Sequence, residues 1–119
     1  MNAARRKRAK GRVGDDFTID GFFDGAGRRV RRQRRDLAVR VHGRLAGHRF
    51  QALVFPEHAE NPDFELGRSR ISKFWVQRLA DRATVANFDR GWDIRPADDT
   101  AKAIVDFLAA GIAEHVFGH

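Results

Sequence analysis

The sequence predicts an α+β fold: an antiparallel sheet of four or five strands, built as two hairpins, with one C-terminal helix packed across one face. Three observations predict it. Residues 37–55 and 70–92 carry the alternation of period two, or the β-branched and aromatic content, that marks half-buried strands, and turn-forming residues break each stretch near its middle. A loop signal with two prolines, PEHAENPDFELGRS at 56–69, separates them. From Asp98 onward the apolar spacing changes to about 3.6, the period of a helix lying on a core. A chain of 119 residues has room for one such core and not for two.

Residues 1–14 are small, basic and glycine-punctuated, with no periodic apolar positions to bury, and are expected to be a flexible basic tail ahead of a single domain over 15–119. FTIDGFF at 17–23 reads as a first strand, running into the turn residues DGAG. In LAVRVHGRL at 37–45, Val39, Val41, Gly43 and Leu45 fall on one side, and Arg40, His42 and Arg44 on the other. Ala46-Gly47 then makes a tight turn into HRFQALVF at 48–55. RISKFWVQRL at 70–79 and TVANFDRGW at 84–92 form the second hairpin around ADRA. Neither side of the 70–79 strand is cleanly apolar, so one face of the sheet is expected to stay partly open, with Trp92 and Trp75 at or near it. In the helix Ala101, Ile104, Phe107, Leu108, Gly111, Ile112, His115 and Val116 share a face, and Lys102 and Asp106 pair at i, i+4 on the other. Asp98 or Asp99 caps its start and Gly118 ends it.

The formal net charge is +7, and it is unevenly spread. Residues 1–35 hold 12 Lys and Arg against 4 Asp and Glu, whereas residues 36–119 hold 11 against 12. A near-neutral body with a cationic front suits contact with nucleic acid, an anionic surface or an acidic protein. The absence of cysteine excludes a disulfide framework and a thiolate metal site, and a cytoplasmic setting is expected. No run of about 18 uncharged apolar residues occurs, so membrane partners are not expected.

The densest charge lies in RRVRRQRR at 28–35, where Arg28, Arg29, Arg31, Arg32, Arg34 and Arg35 crowd into eight positions. Arginines brought to a phosphate backbone release condensed counterions, which gives salt-sensitive binding without base reading. Arg5, Arg6, Lys7 and Arg8 in the tail extend the same candidate site. A secondary surface is read at Arg70, Lys73, Trp75, Arg90 and Trp92, where arginine and tryptophan on a sheet face could stack on and neutralise single-stranded nucleic acid. The bland readings are a solvated run for the arginines, with codon bias favouring Arg over Lys, and core completion for the tryptophans. Asp89 and Asp93 bring two carboxylates close together in sequence, but DRGWD reads more simply as a strand end with Gly91 supplying an unusual φ. No catalytic residue is therefore assigned. Ser69 and Ser72 sit in no nucleophile motif, and the five histidines show no spacing suited to a metal site beyond His115 and His119. No phosphate-loop pattern and no cofactor are read.

GRSRISKFWV at 67–76 and VANFDRGWDIRP at 85–96 resemble the shared pattern of a family of functionally uncharacterised small proteins of phages and bacteria, G-R-I-S-K-L-W followed by Y-D-R-G-W-D. The likeness spans roughly residues 37–97, and Phe88 stands where tyrosine is commoner. It implies a phage or mobile-element context and brings no activity with it. The expected function is a non-enzymatic module whose arginines contact nucleic acid. The alternative is an interaction protein, in the manner of anti-CRISPR inhibitors, that occupies the nucleic-acid channel or an acidic surface of a host defence complex. Oligomeric state is left open.

Overall fold

In the computed structural model, residues 13–31 and 37–119 are described. They form a seven-stranded antiparallel sheet and one α-helix: β1 Thr18–Phe23, β2 Arg29–Val30, β3 Val39–Leu45, β4 His48–Val54, β5 Ile71–Arg78, β6 Thr84–Asp89, β7 Trp92–Ile94 and α1 Asp99–Phe117, with a 3-10 turn at Pro62–Phe64. The strand order is β2-β1-β3-β4-β5-β6-β7. The class is the expected one, but the sheet has seven strands rather than four or five.

The two additional strands have local causes. Arg90 (φ 56°) and Gly91 (φ 148°) reverse the chain just after Asp89, so the stretch read as one strand over 84–92 is β6, a turn and β7, in which Trp92 returns beside Phe88 and Ile94 beside Asn87. At the other edge the Asp24 carboxylate accepts from the backbone N–H groups of Ala26 and Arg28, closing a turn that sends Arg29 and Val30 back along β1 as β2. In the sheet β1 lies between β2 and β3.

The core lies on one face. Val39, Val41, Leu45, Phe50, Ala52, Val54, Phe74, Val76 and Phe88 project from the sheet against Ala101, Ile104, Val105, Leu108, Ile112, Ala113, Val116 and Phe117. The buried stripe of α1 is rotated from the sequence reading: Val105, Ala113 and Phe117 are in it, while Phe107 and His115 lie at its edge against Phe17. Asp98 caps the helix by accepting from the Ala101 N–H at 2.8 Å, Gly118 ends it at φ 82°, and Lys102 pairs with Asp106 at 2.9 Å. Gly43 lets β1 close on β3, because a Cβ there would strike the Thr18 carbonyl and the buried Phe50 ring. One helix covers one face. The other face of the sheet has no element over it among the described residues.

Candidate functional site

Which side chains reach the uncovered face follows from the strand register. Because alternate residues point to opposite sides, the partners of a buried residue's neighbours line up in rows across the sheet. One row runs Arg29, Phe23, Arg40, Leu53, Lys73, Asp89 from β2 to β6. Five interstrand spacings give it a length of about 24 Å. The next row runs Gly21, His42, Gln51, Trp75, Asn87, and the third runs Thr18, Arg44, Arg49, Gln77. Among the described residues in these rows, five cations therefore share this face with two carboxylates, Asp20 and Asp89.

The charges are unequally satisfied. Arg44 grips Asp20 in a two-pronged bond, at 3.1 and 3.2 Å. Arg40, Arg49 and Lys73 make no ion pair among the described residues. Arg29 is held down: its guanidinium donates to the Asp20 carbonyl at 3.1 Å and lies 5.1 Å from the centre of the Phe23 ring, over Gly21, whose missing side chain leaves the room. Arg49 lies 5.5 Å from the centre of the Trp75 ring. The Phe23 and His42 rings meet at 4.2 Å. His42 reports the local field: burial, then repulsion from Arg40, Arg49 and Arg29, lowers its pKa below 6.5, with Asp20 opposing. Between Arg40, Gln51, Leu53, Lys73, Trp75 and Asp89 the face dips into a depression of about 150 Å³.

The residues singled out from the sequence are thus dispersed. Lys73 and Trp75 share the open face. Trp92 packs on the core side against Phe88, edge to face at 5.3 Å. Arg70 is buried, and its guanidinium donates to the carbonyls of Pro56 and His119, fastening the 56–70 loop to the end of α1. Arg90 lies in the β6–β7 turn, 3.7 Å from Asp89 and over the Phe64 ring. Of the arginine run, Arg28 and Arg31 are exposed and Arg29 belongs to the open face. Arg32, Arg34 and Arg35, and Arg5, Arg6, Lys7 and Arg8 with the 1–14 tail boundary, lie outside the described residues or at their margin. Asp89 and Asp93 are exposed on β6 and β7. Among the described residues no three His, Cys, Asp or Glu side chains group to hold a metal ion, and no helix is long and apolar enough to cross a membrane.

Arg40, Arg44, Arg49, Phe23 and His42 were not among the sequence candidates. The signal for three of them was present: Arg40, His42 and Arg44 alternate with the core residues of β3, and a single helix cannot cover two faces.

A second feature sits at the end of the sheet where β3 begins. Leu37, Phe55 and Phe64 are 51%, 39% and 46% exposed and line a groove of about 580 Å³ with Ala59, Ser72 and Arg90. Its floor is stiffened by the buried Glu65, which accepts from the backbone N–H groups of Ala59 (2.8 Å) and Arg70 (2.7 Å) and bonds His58 at 2.7 Å.

A family model described as a domain of unknown function, DUF7678, matches residues 39–113, from the first residue of β3 well into α1. No curated protein and no solved structure matches.

Proposed function

The chain belongs to the family of the domain of unknown function DUF7678, and on that premise we propose that it is a non-enzymatic binding module that contacts nucleic acid through the open face of its sheet, assisted by the arginine run of residues 28–35. One observation carries the reading: among the described residues, Arg29, Arg40, Arg44, Arg49 and Lys73 share a face that no other element covers, with the carboxylates of Asp20 and Asp89 beside them. Four of these five cations lie within the 39–113 match, whereas the arginine run lies outside it. Like charges gathered on one surface repel one another, and a polyanion relieves that repulsion while releasing its own counterions. A phage or mobile-element setting, taken from the GRSRISKFWV and NFDRGWD likeness, agrees with a small accessory protein of this kind. The test is titration of the isolated protein into a labelled oligonucleotide at rising salt. Binding that weakens steeply with salt, and that weakens further when the arginines of 28–35 become serine, supports the reading; no binding at low salt removes it.

A second reading, a protein partner such as a nucleic-acid-handling defence complex, is favoured by the apolar groove at Leu37, Phe55 and Phe64. Capture of a stoichiometric protein from nuclease-treated lysate, lost on Phe64→Asp, would support it, and partners lost on nuclease treatment alone would count against it.

A further inference from the structure

The charges on the open face explain attraction to any polyanion, but they do not explain its aromatic residues. Phe23 and Trp75 stand in β1 and β5, in adjacent rows and three interstrand spacings apart, about 14 Å. Both residues are half-buried. Each carries an arginine: Arg29 over Phe23 and Arg49 over Trp75. Between the two stations stand Arg40 and His42 on β3 and Gln51 and Leu53 on β4, and Lys73 flanks Trp75 on its own strand. The face thus alternates rings and cations across the sheet.

Resting on the nucleic-acid reading above, the geometry points to a single-stranded ligand whose unpaired bases stack at Trp75 and Phe23 while Arg40, Arg49 and Lys73 meet its phosphates. Two observations favour a single strand over a duplex. A broad sheet face offers no helix or ribbon to enter a groove, so it meets duplex only through phosphates, and rings on that face would then have no partner. The dip of about 150 Å³ beside Trp75 is lined by Leu53 and Trp75 together with Arg40, Gln51, Lys73, Asn87 and the carboxylate of Asp89, a mixed lining that suits a planar polar ring rather than a bare phosphate. Base stacking is also tolerant of sequence, because every base has a π-face. Gln51 and Asn87 are the two neutral amides placed to bond a base edge at the Trp75 station.

The test compares three labelled ligands of equal length at one salt concentration: a base-bearing single strand, the same strand made abasic, and a duplex. Stacking of one base changes affinity by about five- to one-hundred-fold. The base-bearing strand is expected to bind at least about five-fold more tightly than the abasic strand. Trp75→Ala removes that preference and leaves abasic binding within about two-fold of the starting protein. Trp75→Leu keeps apolar volume at the site and should behave in the same way if the alanine variant folds poorly. In a Trp92→Phe background, Trp75 fluorescence should be quenched by the base-bearing strand and not by the abasic one. Ribose and deoxyribose versions of the strand, run side by side, identify the natural sugar by the tighter binding. Equal affinity for abasic and base-bearing strands, or a duplex bound as tightly as the single strand, overturns the proposal while leaving a phosphate-binding face in place. Failure of all three ligands to bind at low salt removes the underlying reading instead.

Discussion

The guanidinium of Arg49 lies over the indole of Trp75, 5.5 Å from its centre, on the side of the sheet that the helix leaves bare. The two residues are not direct cross-strand partners, since Arg49 pairs with Gln77 and Trp75 with Gln51. The arginine must lean diagonally across the face to reach the ring. A cation–π contact at an exposed site contributes about 0.5 to 1 kcal/mol. Arg49→Ala should therefore lower unfolding free energy by no more than about 1 kcal/mol in a urea titration, while weakening nucleic-acid binding at low salt. A stability loss near 3 kcal/mol would assign Arg49 to holding the fold.

His42 lies in the field of the arginines on this face. Burial and the repulsion of Arg40, Arg49 and Arg29 depress its pKa, so the native state binds this proton less readily than the unfolded chain. Its contribution to stability is complete above pH 6.5 and is lost as pH falls through the lowered native value. Phosphates placed among those arginines cancel part of the repulsion. The His42 ring protons, followed by NMR, should titrate below pH 6.5 in the free protein and at higher pH with a bound oligonucleotide. An unchanged midpoint would place the ligand elsewhere.

Glu65 makes a separate prediction about stability. Burial alone would raise its pKa, but the His58 ring and the N–H groups of Ala59 and Arg70 together outweigh burial and lower it from 4.5. The native carboxylate therefore stabilises the fold above about pH 4.5, and the contribution disappears as pH falls through the depressed native value. Glu65→Ala leaves two backbone donors without their acceptor and should lower stability by about 2 kcal/mol at pH 7, with a shallower loss in acid. Equal acid sensitivity of variant and parent would contradict this.

How much of the molecule was legible in its residues varies by element. The helix was readable to its caps because Asp98 and Gly118 act through local backbone chemistry. The β3–β4 hairpin was readable from alternation and from Ala46-Gly47, whose positive φ values (51° and 73°) make a tight reversal. The edge strands were not, because β2 has two residues and owes its pairing to the Asp24 turn, and β7 depends on Arg90 entering the left-handed region, which no arginine signals. The candidate surface was half legible. Arg40 and Arg44 show as the polar side of a strand, but their meeting with Arg49, Lys73 and Trp75 is a product of register, set by pairings distant in sequence. Trp92 was misleading for the same reason: the Arg90-Gly91 turn brings it back over Phe88.

The same hairpin gives a paired test of backbone strain. Ala46 occupies a left-handed conformation that asparagine tolerates better. Ala46→Asn should raise stability by about 0.5 to 1 kcal/mol. Gly43→Ala, which drives a methyl into the Thr18 carbonyl and the Phe50 ring, should lower it by about 1 to 3 kcal/mol. Thermal melts of both variants, moving in opposite directions, would verify the turn and the β1–β3 seam; a tolerated Gly43→Ala would mean that β1 sits more loosely than the register implies.

The most direct measurement of the open face is the salt dependence of single-strand binding by the parent protein and by a variant with Arg40, Arg44, Arg49 and Lys73 changed to serine, residues that contribute no side chain to the core. Each phosphate neutralised adds about 0.7 to the slope of log affinity against log salt for single strands. Loss of the three cations without an ion pair among the described residues, Arg40, Arg49 and Lys73, should shallow that slope by about 2. Loss of Arg44, which is paired with Asp20, should shallow it by less than about a further 0.7, with weaker binding at low salt and the fold retained. An unchanged slope in a folded variant would show that nucleic acid does not meet this face of the sheet.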